Sequence, residues 1–215
     1  GEAERVLADA IGDRRENALV ATKVWARDRA VGEEQITRAL GWYEHIDLYQ
    51  VHNLLATDEH LPYLRHLKEG GRIHAVGATH YLSSAKEQLL RLMSAGEIDT
   101  IQVPYHPTER WAAREVFDEA ERLGVGVIVM MPLGSGRLLQ EYPNEEELAP
   151  LASFGVHTWP QVLLKWALSD DRVDVVIPAT SSADHMRENA AAGSGPWFGG
   201  DERLYVRRLA KKYAP

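Results

Sequence analysis

Three polar side chains lie in or at the ends of apolar runs of this sequence. Lys23 lies inside one run and His52 ends another, and together they can place a positive charge and a hydrogen-bond donor beside a reacting bond. Gln102 lies within a third run, so its amide must be hydrogen-bonded if that run is buried. Each residue alone also fits a structural role, as a lysine that reaches water, a core histidine or a paired amide. A lysine and a histidine at neighbouring run ends favour a shared site.

Buried strands must position these side chains. Six short apolar runs are typical of strands covered on both faces, and they are Leu19–Trp25, Ile46–His52, Ile73–Thr79, Thr100–Tyr105, Val125–Met131 and Val173–Pro178. Segments with helical periodicity lie around them, several with a capping residue at the start, such as Asp58 or Thr158, or a glycine at the end. These segments are Glu2–Ile11, Glu33–Tyr43, Asp58–Glu69, Ser83–Ala95, Glu109–Leu123, Thr158–Ser169, Ala183–Ala192 and Asp201–Lys212.

The alternation of strand and helix repeats six times, and the first four strands start at residues 19, 46, 73 and 100. This even spacing is typical of repeated βα units that build a parallel sheet. Two doubly wound halves are one such arrangement, but no GxGxxG sequence opens a helix after any strand. The spacing therefore favours an α/β (β/α)8 TIM barrel with six of its eight parallel units present. We expect residues 1–215 to form one barrel domain with its active site at the C-terminal ends of the strands.

Composition excludes several other classes of protein. The chain has no cysteine, which excludes disulfide frameworks, thiolate zinc sites and thiol nucleophiles. It has 24 basic and 32 acidic residues, a net charge of −8, and no extended run of Lys or Arg, which argues against nucleic acid or an anionic membrane as partner. No apolar stretch approaches the ~20 residues of a membrane span, and no signal peptide is visible. We therefore expect a cytoplasmic protein.

Two further segments have features that suit an anion. Leu133–Gly136 follows the fifth strand, and its small residues and N–H groups can line a phosphate. Thr180–Ser181 follows the sixth strand and precedes a helix, whose N-terminus attracts negative charge. Alone, the first segment is an ordinary glycine-rich turn and the second is ordinary helix capping.

Taken together, these segments resemble the aldo-keto reductase family over almost the whole length of the chain. Six motifs carry the resemblance, in the order that the strands require. They are TKVW at 22–25, IDLYQVH at 46–52, GRI with VGATHY at 71–81, QVPY at 102–105, PLGSG at 132–136, and VIP with EN at 176–189.

The resemblance implies NAD(P)H-dependent reduction of aldehydes and ketones to alcohols by hydride transfer, without a metal. The family uses an aspartate, a tyrosine, a lysine and a histidine, and by motif Lys23 is the lysine and His52 the histidine. The tyrosine is the general acid, its pKa is lowered by the lysine, and the histidine orients the carbonyl oxygen. No motif that carries the aspartate and the tyrosine precedes Lys23. We therefore expect an N-terminally truncated chain that lacks the first two strands and is inactive alone.

The resemblance also implies a cofactor site and a substrate site. For NADPH or NADH, the matching residues are Thr79, His80, Gln102 and Met130 at the nicotinamide, Leu133, Gly134 and Ser135 at the pyrophosphate, and Thr180, Glu188 and Asn189 at the adenosine. Ala179 and His185 stand where many members have the cations that bind the 2′-phosphate, so we expect relaxed preference or tolerance of NADH. The small-molecule carbonyl substrate is expected to contact Trp25, Asn53 and Tyr81.

Two other functions are open on the residues alone. A metal-dependent barrel hydrolase would use His52, His80 and His106 as ligands, but no HxH pair is present. A non-catalytic cofactor-binding barrel is the stronger alternative, because the tyrosine acid is not found.

Overall fold

Six short strands form the sheet of the computed structural model, which describes residues 1–214. They are β1 (Ala21–Val24), β2 (Ile46–Val51), β3 (Ile73–Thr79), β4 (Thr100–Pro104), β5 (Gly126–Met130) and β6 (Val175–Val176), and they follow one another in this order. The pairings β1–β2, β2–β3, β3–β4 and β5–β6 are parallel. The predicted α/β class with six parallel βα units is therefore confirmed.

Five of the six strands are shorter than the apolar runs that predict them, whereas β3 spans the whole of its run. The difference is largest for β6, which has two residues where the sequence predicts six. Its run begins with Val173, whose N–H donates to the carbonyl oxygen of Asp170 in a turn, and it ends at Pro178, which has no N–H to donate.

Ten α-helices accompany these strands in the described residues. They are α1 (Glu2–Ile11), α2 (Arg29–Tyr43), α3 (Thr57–Glu69), α4 (Lys86–Ser94), α5 (Trp111–Glu115), α6 (Phe117–Leu123), α7 (Glu145–Leu148), α8 (Trp159–Leu168), α9 (Ala183–Ala191) and α10 (Gly200–Tyr213). The helix predicted over 109–123 is two helices, because the backbone leaves the helical region at Val116.

Helix ends follow the predicted chemistry in most places. The Thr158 hydroxyl accepts from the N–H of Gln161 and caps α8 as predicted. The prediction that Asp58 caps a helix is wrong, because α3 already begins at Thr57 behind Ala56, and the Asp58 carboxylate lies in the first turn. There it still favours the positive end of the helix dipole.

The described residues pack as two compact units, 1–102 with 123–125, and 103–122 with 126–214. In the first unit, carboxylates hold the starts of neighbouring strands. Asp47 accepts from the N–H of Val20 at 2.8 Å and from Arg15 at 2.9 Å, and Asp99 accepts from the N–H of Val76 at 2.8 Å. These bonds help to fix β1 against β2 and β3 against β4, and so the strand ends at which a site would form.

A carboxylate also binds the main chain of a strand in the second unit, where Asp174 accepts from the N–H of Val127 at 2.7 Å. Its core also contains a fully buried lysine, Lys165, whose ammonium donates to the carbonyl oxygens of Phe154, Ser194 and Pro196. Within residues 1–214, no helix has the length and apolarity needed to cross a membrane.

Candidate active site

In the first unit, strand register places the predicted polar residues on one face of the sheet. Lys23 lies opposite Gln50, Gln50 lies opposite Gly77, and Thr79 lies opposite Gln102. Because side chains alternate along a strand, residues 77 and 79 share a face, and all five residues therefore face the same side. The register thus brings Lys23, Thr79 and Gln102 into one layer of the first unit.

A buried amide pair lies at the centre of this layer. Gln50 is fully buried, and its Nε2 donates to Oε1 of Gln102 at 3.0 Å. Oε1 of Gln50 is also buried and accepts no hydrogen bond within residues 1–214. Gln102 is 5% exposed, and its main-chain oxygen accepts from the N–H of His80 at 3.2 Å. The expectation that Gln102 must be hydrogen-bonded is met by a partner 52 residues earlier in the chain.

A glycine makes room for this pair. A Cβ at Gly77 would lie 2.3 Å from Oγ1 of Thr100, 3.0 Å from the Thr100 carbonyl oxygen and 3.1 Å from Cγ of Gln50. Any larger residue would therefore displace Gln50 or Thr100, and glycine is required for close packing in this layer.

The two predicted catalytic residues, Lys23 and His52, interact electrostatically within the first unit. Lys23 is half-buried on β1, and this burial lowers its pKa. His52 is half-buried directly after β2, and its pKa is lowered by burial and then by the positive charge of Lys23 and by His80. Because the pKa of His52 is lowered from the ordinary value near 6.5, the imidazole is neutral at pH 7 and keeps one ring N–H to donate.

The predicted substrate residues lie around His52 and His80. The exposed ring of Trp25 meets the His52 ring edge-on, with centroids 5.6 Å apart. The half-exposed ring of Tyr81 stacks on His80 at 5.4 Å, and Nδ1 of His80 accepts from the N–H of Leu82 at 3.1 Å.

Asn53 lies in the 3₁₀ turn after β2 in a left-handed conformation, with φ of 52°. Asparagine tolerates this region better than most residues, so the chain can turn sharply beside His52. The strand ends of the first unit therefore place two exposed aromatic rings beside the imidazoles of His52 and His80.

In the second unit, the loop after β5 and the end of β6 line a cleft of about 350 Å³. Four residues before and within this loop have positive φ, namely Met131, Gly134, Ser135 and Gly136. The cleft is lined by Met131, Pro132, Leu133, Ser135, Gly136, Leu139, Ile177, Pro178 and Ala179. The structure thus brings the predicted pyrophosphate loop beside Ala179.

The remaining predicted cofactor residues lie in the second unit but outside the lining of this cleft. Met130 ends β5, and Gly134 is buried within the loop. The Thr180 hydroxyl accepts from the N–H of Ser182 at 3.1 Å, and Ser182 caps α9. Glu188 and Asn189 lie on α9, where the Glu188 carbonyl oxygen accepts from Gln161 at 3.1 Å.

Sequence reasoning missed two residues of the first-unit layer, and it considered His106 of the second unit only as a metal ligand. Gln50 was readable only as a polar residue in an apolar strand, and Gly77 only as a glycine in a strand, a signal of close backbone approach. His106 is 2% exposed and its Nδ1 lies 3.1 Å from Oγ1 of Thr108. Burial, with the charge of Arg137, lowers the His106 pKa to about 4.

The residues of the hydrolase hypothesis do not form a metal-binding group. Among residues 1–214, no three His, Asp or Glu side chains are grouped so that they could hold a metal ion. His106 instead bonds within its own turn, and His80 accepts from its own loop.

Comparison with known proteins identifies the family. Residues 1–196 match the model of the aldo/keto reductase family. L-glyceraldehyde 3-phosphate reductase of Escherichia coli O157:H7 is 24% identical over 202 residues, which cover 76% of this chain and 58% of that protein. The chain thus spans little more than half the length of the first curated relatives that it matches.

Solved structures resemble the whole chain. The holo form of the aldo-keto reductase AKR11C1 from Bacillus halodurans is 26% identical with a TM-score of 0.74, and the match covers 99% of this chain and 78% of that one. An aldo/keto reductase from Klebsiella pneumoniae in complex with NADP and acetate is 24% identical with a TM-score of 0.77, covering 99% and 76%.

The sheet of parallel βα units and the match over residues 1–196 define the class of protein, an α/β family of oxidoreductases. This chain belongs to the aldo/keto reductase family.

Proposed function

We propose that the chain takes part in the NAD(P)H-dependent reduction of aldehydes or ketones, with Lys23 and His52 as catalytic residues. The observation that carries the proposal is the half-buried Lys23 beside His52, at strand ends that also hold a buried amide pair. A reactive carbonyl needs groups that bind its oxygen as negative charge develops there, and these two side chains supply them.

His52 would orient the carbonyl oxygen. Its lowered pKa keeps the imidazole neutral at pH 7, so it donates a hydrogen bond without adding a second charge beside Lys23. Lys23 would stabilise negative charge on a neighbouring acid or on the developing alkoxide, because its own charge is only partly screened at a half-buried position.

The residues present fit a nicotinamide cofactor. NADPH or NADH supplies the hydride when bound. The buried amide of Gln102, held by Gln50 and near Thr79, suits a carboxamide, which needs both a donor and an acceptor. In the loop at Leu133–Gly136, the N–H groups of Gly134 and Gly136 already donate to main-chain oxygens of the same turn, so a phosphate would be bound by the N–H groups of Leu133 and Ser135.

A general acid is the part of the reaction that the motifs of this chain do not supply. No tyrosine precedes Tyr43 in the sequence, and both Tyr43 and Tyr49 are buried. The Tyr43 hydroxyl donates to the carbonyl oxygen of Glu4, and burial raises its pKa. Neither is arranged as an acid beside Lys23, so we expect the 215-residue chain to bind cofactor and to reduce no aldehyde above background.

A chimaera tests this division of labour. The two strands that carry the Asp and Tyr of a family member would be joined ahead of Gly1, and oxidation of NADPH by an aromatic aldehyde would be followed by absorbance. We expect turnover in the chimaera, a loss of at least 100-fold in its Lys23→Met variant with cofactor affinity kept, and little change in the control Lys68→Met, which removes an exposed lysine paired with Asp99.

Two results would contradict the proposal. Equal activity of the chimaera and its Lys23→Met variant would remove Lys23 from the chemistry. Loss of cofactor affinity in that variant, at unchanged turnover when saturated, would make Lys23 a binding residue only.

A further inference from the structure

A second cleft of the second unit is lined by four arginines. It measures about 240 Å³, and its charged lining residues are Arg110, Arg172, Arg203, Arg207 and Asp170. Tyr105 and Trp166 form its aromatic walls. It shares no lining residue with the cleft at the loop after β5. Asp118 pairs with Arg172 from outside the lining, so four cations against two anions leave this cleft a formal charge of +2 in a chain whose net charge is −8.

Asp170 does not neutralise all of these arginines. It is 2% exposed, and its two oxygens accept from Arg172, Tyr105 and Arg203 at 2.7–3.0 Å. These bonds hold the Asp170 pKa far below its usual range, so the carboxylate is charged but already fully used. Arg110 and Arg207 make no ion pair with it.

The arginines have donors that the described residues do not satisfy. Nε of Arg110, Arg203 and Arg207 are each buried and have no hydrogen-bond partner within residues 1–214. Buried donors without an acceptor are costly, and several around one cleft point to an acceptor that comes from outside. Burial and then the charge of Arg207 also lower the Arg110 pKa, which shows that like charges meet here uncompensated.

The cleft has room for an oxyanion with a small organic part. Its volume corresponds to about eight water molecules at ~30 Å³ each. Guanidinium groups bind phosphate and carboxylate oxygens through paired N–H donors. The exposed side chain of Leu204, which also lines the cleft, offers an apolar surface for the rest of the ligand.

We propose that this arginine cleft is a binding site for a small molecule that carries a doubly charged oxyanion, the chemistry shared by a phosphate monoester and a dicarboxylate. This site is independent of the reductase chemistry proposed above, since it uses none of the same residues. Its four guanidinium groups would neutralise the ligand, and the ligand would satisfy the orphaned donors.

Calorimetric titration of the wild-type chain tests the proposal. Inorganic phosphate and succinate would be added separately, against sodium chloride at the same ionic strength. We expect saturable binding of at least one of the two, and the stronger arm identifies the source of the oxyanion. No saturable heat with either would overturn the proposal, whatever the variants do.

Variants assign the binding to the cleft. Arg110→Gln and Arg207→Gln should each weaken the affinity for the better ligand at least tenfold, while the control Arg187→Gln, which removes an exposed arginine paired with Asp184, should change it less than twofold. If the first two variants fold poorly, Arg207→Lys replaces them in the test. This variant keeps the charge and should retain part of the ligand affinity. Equal ligand affinity in all variants would mean an adventitious ion only, and would reject the site.

Melting temperature separates a binding site from a structural cluster. Without ligand, Arg110→Gln should be as stable as the wild type or more so, because it relieves repulsion between buried like charges. With ligand, only the wild type and the control should gain in melting temperature. A large loss of stability in Arg110→Gln without ligand, with no gain of the wild type on adding ligand, would show a structural role instead.

Discussion

The side-chain amide of Gln50 donates to the side-chain oxygen of Gln102 at 3.0 Å inside the first unit, although the two residues are 52 positions apart. The bond fixes which way the Gln102 amide points, since its oxygen is engaged and its NH₂ group faces elsewhere. A residue proposed to bind the cofactor is thus positioned by one to which the sequence analysis assigned no role.

A double-mutant cycle on this pair measures the bond. Gln50→Leu should lower the free energy of unfolding by about 1–3 kcal/mol, because it takes a buried hydrogen bond away from Gln102. Adding Gln102→Leu should cost less than the sum of the single changes, because both polar partners are then gone. Strict additivity in urea denaturation would show that the two amides do not interact.

Gly77→Ala should destabilise the chain by about 1–3 kcal/mol, since its Cβ would overlap Thr100 and crowd Gln50. Gly41→Ala is the matched control. Gly41 lies in α2 with nothing within 4 Å of an added Cβ, so this change should stabilise by ~0.5–1 kcal/mol. Urea denaturation of the two variants gives the comparison, and a neutral Gly77→Ala would mean that the layer is loosely packed.

His106 should make stability depend on pH. Its folded-state pKa of about 4 lies below the ordinary 6.5, so between these values the unfolded chain binds a proton that the folded chain does not. The neutral His106 therefore contributes to the free energy of unfolding above pH 6.5. This contribution is lost as the pH falls towards 4, and it amounts to about 3 kcal/mol in total.

His106→Asn should remove this part of the pH dependence. Denaturation of both proteins at pH 7, 5.5 and 4.5 would give the difference, with the wild type losing more stability on acidification. Parallel losses in the two proteins would show that His106 titrates normally in the folded chain.

Cofactor preference should respond to Ala179 and His185. Neither position has the lysine or arginine with which many family members bind the 2′-phosphate, so we expect the chain to bind NADPH and NADH with similar affinity. Ala179→Lys with His185→Arg should shift the ratio towards NADPH at least tenfold, since each adds a cation that can pair with the phosphate. An unchanged ratio, measured by nicotinamide fluorescence, would place the 2′-phosphate elsewhere.

The sequence predicts the elements of this fold well, because strand and helix are local patterns. All six strands lie inside their predicted runs, and α3 and α8 lie within a residue or two of the predicted segments. The break at Val116 and the short β6 were not predicted, because apolar periodicity continues through both places while the local backbone does not.

The site was predictable where a motif carries it and not where packing does. Register confirms that Lys23, Thr79 and Gln102 share a face, whereas the roles of all predicted site residues stay predictions. Gln50, Gly77 and the arginine cleft depend on which strands and helices become neighbours, and a single residue in a sequence does not reveal that. Arg110 and Arg203, for example, are 93 positions apart.

The proposed function requires that this chain bind a nicotinamide cofactor. Titration with NADPH, followed by its fluorescence, tests this directly on the wild type and on two variants of one exposed loop residue. Ser135→Asp places a negative charge at the proposed pyrophosphate loop, and Ser135→Asn is its uncharged counterpart, with both residues tolerant of the left-handed backbone there. We predict saturable binding to the wild type and to Ser135→Asn, and at least tenfold weaker binding to Ser135→Asp. No saturable binding to the wild type, or equal affinity in all three, would contradict the proposed cofactor site.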